Sequence, residues 1–172
     1  DERVVRISQE FLPEVASGLT DPRVHLEFGD GIKRIAQFKE YFDLVIVDST
    51  DPVGPGAVLF SQDFYSLVRQ SLRPGGLMVA QTESPFVNRD IMADARERLD
   101  QVFPQTYVYL GAIPTYPSGL WSFTMGSTAP DPHKVDLDKV AKTIAAWPLR
   151  YYSAQVHGAA LALPPFVQEI YK

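Results

Sequence analysis

The spacing of apolar residues changes repeatedly along the first fifty positions. Between residues 3 and 16 they recur at helical spacing, which predicts a helix, and in "RVHLEFGD" (23–30) they alternate, which predicts a strand. "GIKRIAQF" then predicts a further helix. "FDLVIVD" (42–48) is a continuous apolar run, which is typical of a strand covered on both faces.

The alternation of helices and strands continues as far as residue 127. The predicted elements are a helix at 61–72 capped by Ser61, a turn at 73–76 ("RPGG"), a strand at 77–82, a helix at 88–103 capped by Asn88, and strands at 106–113 and 120–127. Strands separated by helices favour a mostly parallel sheet with helices on both faces. The last two strands have no helix between them, so we expect an antiparallel pair at one edge.

The composition changes after this α/β region. "TAPDPHK" predicts a linker, a helix is predicted to start near Asp136, and "LPPFVQEIYK" predicts a short final helix packed on the body. We therefore expect two parts, an α/β domain over residues 1–128 and a helical extension over 129–172 packed on the same domain.

Composition excludes several classes of function. Of the 172 residues, 45% are hydrophobic and none is cysteine, which excludes disulfides, a cysteine nucleophile and thiolate metal sites and fits a reducing, cytoplasmic compartment. The net charge of −5 disfavours nucleic acid as a partner. No apolar run approaches the ~20 residues of a membrane span, and no signal peptide is visible. The three histidines show no metal-ligand spacing, so no metal is expected.

Polar residues follow three of the predicted strands at the point where each strand ends. Asp30 and Gly31 follow one strand, the stretch from Asp48 to Pro55 follows the next, and residues 81–83 follow a third. In open sheets of this kind, ligands bind beyond the carboxyl ends of the strands. The sequence therefore predicts a binding crevice at this edge.

Two carboxylates stand at the centre of this crevice. Asp48 ends an apolar strand and Asp51 follows three residues later, in a loop made rigid by two prolines and two glycines. Either residue can cap the turn through side-chain-to-backbone bonds, which is the structural interpretation. Two acids this close also suit a substrate with several ammonium groups, because one can hold a cation while the other takes a proton from an attacking amine.

Other candidates have two interpretations each. Asp30 can cap the helix that follows, or it can accept a hydrogen bond from an exocyclic amine such as that of adenine while Gly31 lets the ring approach. Tyr116, between two prolines, can cover the sheet edge or offer its ring and hydroxyl to a ligand. Trp121 can belong to the core or to the pocket.

Several motifs, in this order, resemble those of the spermidine synthases, the polyamine aminopropyltransferases. They are "GDG" at 29–31, "DSTDP" at 48–52, "GP" at 54–55, Gln81 and "IPTYPSG" at 113–119, and the end of the chain resembles the bacterial members. The resemblance covers essentially the whole chain. It implies a methyltransferase-like Rossmann fold, with residues 1–128 as part of the catalytic domain.

The resemblance also implies a reaction and the residues that perform it. The family transfers an aminopropyl group from decarboxylated S-adenosylmethionine to putrescine and releases methylthioadenosine, with no further cofactor. By motif, Asp48 is the catalytic acid that helps to deprotonate the amine. Asp51, Gln81, Tyr116 and Trp121 surround the diamine, and Asp30, Gly31, Ser49, Pro55 and Leu59 contact the nucleoside. The loop after Asp48 is expected to close over both substrates.

The chain departs from the family pattern at its start. The family's glycine-rich nucleotide loop, its ribose-binding acid, the first strand and a small N-terminal β domain lie upstream of residue 1, so this chain resembles the C-terminal ~60% of such an enzyme. A homodimer or higher homo-oligomer is implied. Three alternatives stay open: another amine acceptor (agmatine, cadaverine or spermidine), a related N-methyltransferase, and a non-catalytic nucleoside-binding fragment.

Overall fold

The computed structural model describes residues 1–50, 52, 54–116 and 118–172, the side chain of Pro55 excepted. The chain divides into two compact units, residues 1–34 and 35–172. The predicted division at residue 128 stays a prediction.

The first unit is mostly helical. Helix α1 (Glu2–Phe11) begins at Asp1, whose carboxylate accepts a hydrogen bond of 2.7 Å from the backbone N–H of Arg3. Leu12 interrupts the predicted helix because a residue before proline is driven out of the α conformation. Helix α2 (Pro13–Ala16), a 3-10 helix (Ser17–Thr20) and helix α3 (Gly31–Ile35) follow.

The strand predicted within residues 23–30 is wrong. This segment has irregular backbone, and Val24, Leu26 and Phe28, the alternating apolar residues, are 40–48% exposed. Alternation gives a strand only where a neighbouring strand supplies hydrogen bonds along its length. Among the described residues, no strand is paired with this segment.

The second unit is built on a four-stranded sheet in the order β1-β2-β4-β3. Its strands are β1 (Phe42–Val47), β2 (Leu72–Gln81), β3 (Gln105–Ala112) and β4 (Leu120–Ser127). Strands β1 and β2 are parallel, and β4 pairs antiparallel with both β2 and β3. Three strands therefore run in one direction and only β4 opposes them, which confirms the mostly parallel α/β fold with an antiparallel edge pair.

The predicted turn at 73–76 is part of β2. Phe42 pairs with Leu72, and Leu44 pairs with Leu77. The segment of β2 between these two pairs is longer than the matching segment of β1, so the register shifts between Phe42 and Leu44. Gly75 adopts a φ of 82°, a conformation that glycine reaches without a Cβ penalty. The predicted turn is therefore wrong: this glycine-containing stretch forms an irregularity inside β2 and does not separate two elements.

Two helices cover one face of the sheet. A 3-10 helix (Gly54–Phe60) leads to α4 (Gln62–Ser71), and α5 (Arg89–Asp100) follows β2. The Ser61 hydroxyl accepts from the backbone N–H of Phe64 at 3.2 Å, which confirms the predicted cap. Asn88 stands at the N-cap position of α5, as predicted, but its side chain makes no capping hydrogen bond there, and its φ of −122° and ψ of 42° differ from ordinary cap geometry.

The core lies between these helices and β2. The side chains of Val68, Met78, Met92 and Leu99 have no exposed surface, and Ala80 is 1% exposed. Helical spacing on α4 and α5 places these side chains toward the sheet, and alternate residues of β2 meet them. Burial of several large aliphatic side chains, each worth about 1.5–3 kcal/mol, holds this face together.

The opposite face of β1 is open, which corrects the prediction of a strand covered on both faces. Leu44 is 48% exposed and Ile46 is 68% exposed. Strand β1 is at the edge of the sheet, and these two side chains line a cavity instead of packing beneath a helix. An apolar run does not distinguish a strand buried by helices from one that borders a binding site.

The C-terminal part is helical, as predicted, but contains one helix that the pattern did not reveal. It comprises a 3-10 helix (Pro132–Lys134), α6 (Leu137–Ile144), α7 (Ala154–Leu161), α8 (Pro165–Gln168) and a final 3-10 helix (Glu169–Tyr171). The start of α6 at the Asp136 cap is confirmed. Helix α7 was missed because Gly158 weakens its helix signal, although Ser153 caps it. In the described part of the chain, no helix has the length and apolar character needed to cross a membrane.

Candidate active site

Two adjoining cavities open at the carboxyl ends of β1 and β2. One, of about 440 Å³, has a largely apolar wall that includes Leu44, Ile46, Val79, Tyr109 and Phe123. The other, of about 540 Å³, is more polar and includes Ser49, Thr50, Glu83, Ser84 and Asn88. Four residues line both cavities: Asp48, Gln81, Tyr116 and Trp121. The structure thus brings together the predicted catalytic acid and three of the predicted diamine-binding residues.

Asp48 lies at the border between the two cavities. It follows the last residue of β1, so the parallel pairing of Val47 with Ala80 fixes the backbone from which it projects. Asp48 is exposed to the cavity space and not sealed in the core. A carboxylate held in this way can contact a bound ligand while the strand restrains its position.

Gln81 ties the end of β2 to the loop after Asp48. It is 8% exposed, and its side-chain Nε2 donates to the backbone carbonyl oxygen of Ser49 at 2.9 Å. Its Oε1 accepts from the indole Nε1–H of Trp121 at 2.7 Å. Both ends of the amide are therefore engaged by protein groups, although the Gln81 side chain also borders the cavities.

Tyr116 and Trp121 form an aromatic wall. Their ring centroids are 4.4 Å apart at an interplanar angle of 45°. Trp121 is 7% exposed, whereas Tyr116 is 46% exposed. The two interpretations of Trp121 are thus both partly correct, because it is buried and it also faces the cavities. Tyr116 offers its ring and hydroxyl to the cavity space.

Glu83 is a carboxylate of the site that was not predicted from the sequence. It lines the more polar cavity, is only 2% exposed, and adopts a φ of 79°. Its backbone carbonyl accepts from both the N–H of Ser122 at 2.8 Å and the Ser122 hydroxyl at 2.9 Å. A left-handed conformation costs a non-glycine residue about 1–2 kcal/mol. Only its place just beyond a strand end, at 81–83, signalled it in the sequence.

The loop between β1 and α4 carries several predicted site residues. Asp51 lies outside the described residues, and so does the side chain of Pro55. Ser49 lines the more polar cavity, and Leu59 is half-buried in the 3-10 helix. At the end of that helix the Phe60 carbonyl accepts from the Arg98 guanidinium at 2.9 Å.

Asp30 and Gly31 belong to the start of α3 in the first unit. The Asp30 carboxylate accepts from the backbone N–H groups of Ile32 at 3.0 Å and Lys33 at 3.3 Å. This is the capping interpretation that the sequence left open. A Cβ added at Gly31 would meet no atom within 4 Å, so the backbone there is open on that side. Their predicted contact with adenine stays a prediction.

The apolar cavity contains a tyrosine that stays neutral. Burial raises the pKa of Tyr109 above its ordinary value. A tyrosine already titrates near pH 10 in water, so Tyr109 carries no charge at physiological pH. Among the described residues that line this cavity, the formal charge therefore comes from Asp48, which favours a cationic ligand over an anionic one.

An α/β sheet with a crevice beyond the carboxyl ends of its strands defines a class of proteins that bind small ligands at that edge. Within that class, the sequence profile described as Spermine/spermidine synthase domain matches residues 1–139. The chain belongs to the spermine/spermidine synthase family.

Relatives and solved structures agree with this membership. The polyamine aminopropyltransferase of Caldicellulosiruptor saccharolyticus is 47% identical over 170 residues, which cover 99% of this chain and 60% of that protein. The protein of the same name from Moorella thermoacetica is 46% identical over 169 residues, covering 98% and 58%. A spermidine synthase in complex with the transition state analogue AdoDATO superposes with a TM-score of 0.93 at 40% identity, covering 99% of this chain and 58% of that one.

The spermidine synthase of Thermotoga maritima matches with a TM-score of 0.88 at 37% identity, covering 99% of this chain and 56% of that one. This chain therefore spans about 60% of the length of the curated relatives it matches. The family-level fold prediction is confirmed.

Proposed function

We propose that this protein transfers an aminopropyl group from decarboxylated S-adenosylmethionine to putrescine, giving spermidine and methylthioadenosine. The observation that carries the proposal is the meeting of Asp48, Gln81, Tyr116 and Trp121 around two adjoining cavities at the end of β1. These are the residues that the family motifs assign to the acid and to the diamine site. The names of the similar proteins support the same reaction class.

The diamine fits the chemistry of the cavity walls. An alkyl diamine has two cationic ends and an apolar middle, so it needs carboxylates at its nitrogens and apolar surface between them. Asp48 and Glu83 supply carboxylates, and the aromatic wall of Tyr116 and Trp121 supplies the surface. An ammonium group over an aromatic face gains about 0.5–2 kcal/mol, depending on its desolvation.

The proposed step is an in-line displacement. A neutral amine nitrogen attacks the propyl carbon bound to the sulfonium, a C–N bond forms, the C–S bond breaks, and its electron pair leaves with sulfur as the neutral thioether. An alkyl amine has a pKa of about 10, so it must lose one proton before it attacks, and the product nitrogen then keeps the positive charge that the sulfonium gives up. Asp48 is positioned to accept such a proton. The reaction balances with the two substrates alone, so we propose no resident cofactor.

Positioning and desolvation supply most of the proposed rate acceleration. Both substrates are cationic, and each loses water when it enters a crevice with apolar walls. The carboxylates then compensate the charge, and the restrained end of β1 holds the acid beside the reacting nitrogen. We further propose a homo-oligomer and a cytoplasmic location, as the family resemblance implies.

Mass spectrometry of the products tests the function. The chain, and an extended protein in which the N-terminal segment of the Caldicellulosiruptor saccharolyticus relative precedes residue 1, are each incubated with decarboxylated S-adenosylmethionine. The acceptors are putrescine, cadaverine, agmatine and spermidine in separate reactions. We expect spermidine from putrescine as the main product. If another amine is the preferred acceptor, that amine takes the place of putrescine in the proposed reaction. If neither protein yields an aminopropylated amine, the proposal is wrong.

A second arm uses S-adenosylmethionine itself as donor. Methylated amine in that arm, with no aminopropyl transfer, would identify an N-methyltransferase instead. Methylthioadenosine binding without any turnover would indicate a nucleoside-binding fragment.

A further inference from the structure

Trp121, Gln81 and Ser49 are joined by two consecutive hydrogen bonds. The Trp121 indole lies 2.7 Å from the amide oxygen of Gln81, and the amide nitrogen of Gln81 lies 2.9 Å from the carbonyl oxygen of Ser49. These residues come from β4, the end of β2 and the loop after β1, so the two bonds span three elements. Ser49 directly follows Asp48.

We call these two consecutive hydrogen bonds, from Trp121 to Gln81 and from Gln81 to Ser49, the relay. The chemistry of indole fixes which group donates and which accepts in each of them. An indole N–H can only donate, so the group of Gln81 that faces it must be the amide oxygen. The amide nitrogen then has to face the other way, toward Ser49, whose carbonyl can only accept. One tryptophan N–H therefore decides the orientation of the Gln81 side chain and provides the loop with a donor.

Burial strengthens the relay. Trp121 is 7% exposed and Gln81 is 8% exposed, so water has little access to replace either bond. A buried polar group that loses its partner is left without a replacement hydrogen bond, which destabilises that arrangement. The Gln81 amide would therefore reorient or move if the indole N–H were removed, and the Ser49 carbonyl would lose its donor.

We propose that Trp121 is a positioning residue, which acts through Gln81 on the peptide group of Ser49 and thereby sets the position of the Asp48 carboxylate. The inference deepens the proposed aminopropyl transfer and rests on it for the kinetic readout. It gives Trp121 a role beyond that of an apolar wall, and it makes Gln81 a support of the loop as well as a neighbour of the diamine. The relevant chemistry is the proton transfer from the attacking amine.

Kinetics of the extended protein separate positioning from substrate contact. Trp121→Phe keeps an aromatic wall but removes the N–H, and Gln81→Met keeps the side-chain length but removes both hydrogen bonds. We expect each to lower kcat about tenfold or more, the equivalent of one lost hydrogen bond, while KM for putrescine changes less than about twofold. The kcat of the double variant should be no lower than that of the slower single variant, because both substitutions break the same relay.

Two kinetic results would overturn the proposal. A raised KM with an unchanged kcat would mean that Trp121 only contacts the diamine. Losses that multiply in the double variant would mean that the two side chains act independently. Trp147→Phe is the matched control, since Trp147 is the other tryptophan of the chain and is 57% exposed, and wild-type kcat is expected there.

Nuclear magnetic resonance of the chain tests the relay without turnover. In Trp121→Phe, the side-chain amide protons of Gln81 should exchange with solvent about tenfold faster than in wild type, and in Trp147→Phe they should not. Unchanged Gln81 exchange in Trp121→Phe would overturn the relay even if kcat fell. If the extended wild-type protein makes no aminopropylated product, the proposed function fails, and the exchange experiment still decides the relay.

Discussion

The ring of Tyr116 packs against the indole of Trp121 with the centroids 4.4 Å apart, and Tyr116, which lines both cavities, is 46% exposed. This pairing fixes one face of the tyrosine and leaves the other for a ligand. We expect Tyr116→Leu to raise KM for the diamine about tenfold in the extended protein, because it removes the aromatic surface. Tyr116→Phe should raise it less, since only the hydroxyl is lost.

Steady-state kinetics with putrescine as the varied substrate measure both effects. Tyr107→Leu is the control, because Tyr107 lies on β3 with its hydroxyl donating to Gln105 and its ring edge at His133. An unchanged KM in Tyr116→Leu would remove Tyr116 from the diamine site.

Replacement of Asp48 tests the assigned acid. Asp48→Asn keeps the shape of the side chain but cannot take a proton, so we expect turnover to fall about 10²-fold or more, while methylthioadenosine binding by calorimetry stays within about twofold. Asp43→Asn is the matched control on the same strand. Asp43 is an exposed partner of Arg73, and such surface pairs contribute little. Wild-type turnover in Asp48→Asn would disprove its catalytic role.

Gly126 tests the packing behind β4. A Cβ built there would lie 2.5 Å from Cδ2 of Phe103 and 2.6 Å from Cγ of the same ring, which is only 4% exposed. Because the ring has little room to shift, Gly126→Ala should destabilise the fold by about 1–3 kcal/mol. Urea unfolding followed by circular dichroism measures the change.

The control for this packing is Gly18→Ala, where a Cβ would meet nothing within 4 Å. The urea-unfolding midpoint of Gly18→Ala should stay near that of wild type. Equal midpoints for the two variants would show that the Phe103 ring moves aside at little cost.

Alkaline pH tests the burial of Tyr171. Burial raises the pKa of Tyr171 to about 12, whereas the unfolded chain has a value near 10. Between these values the folded state holds the proton more tightly than the unfolded state, so this contribution to stability is complete below pH ~10 and is lost as the pH rises toward ~12. We expect the thermal midpoint to fall above pH ~10, and to fall less steeply in Tyr171→Phe.

Thermal unfolding at several pH values between 8 and 11.5 measures this slope, and absorbance at 295 nm follows the tyrosine titration. Tyr41→Phe is the control, because Tyr41 is 54% exposed. The same alkaline slope in Tyr171→Phe and wild type would contradict the assignment.

Sequence patterns predicted most of the elements because they depend on local spacing and caps. The helices that begin after Ser61 and Asp136 and the antiparallel pair β3 and β4 are where the pattern placed them. Two expectations failed for the same reason. The alternation at 23–30 lacks a paired strand, and the predicted Asn88 cap makes no bond, because both needed a partner that spacing does not guarantee.

The sequence alone determined the family motifs, the acid at the end of β1 and the set of residues expected around the diamine, because these depend on residue type and order. Only the tertiary structure decided which of them meet. It brought Gln81 and Trp121 together from positions 40 residues apart, added Glu83 to the cavity wall, and opened the face of β1 that the apolar run had suggested was covered. The physical reason is that hydrogen bonds and burial between distant segments are set by the pairing of strands, and that pairing is a property of the whole fold.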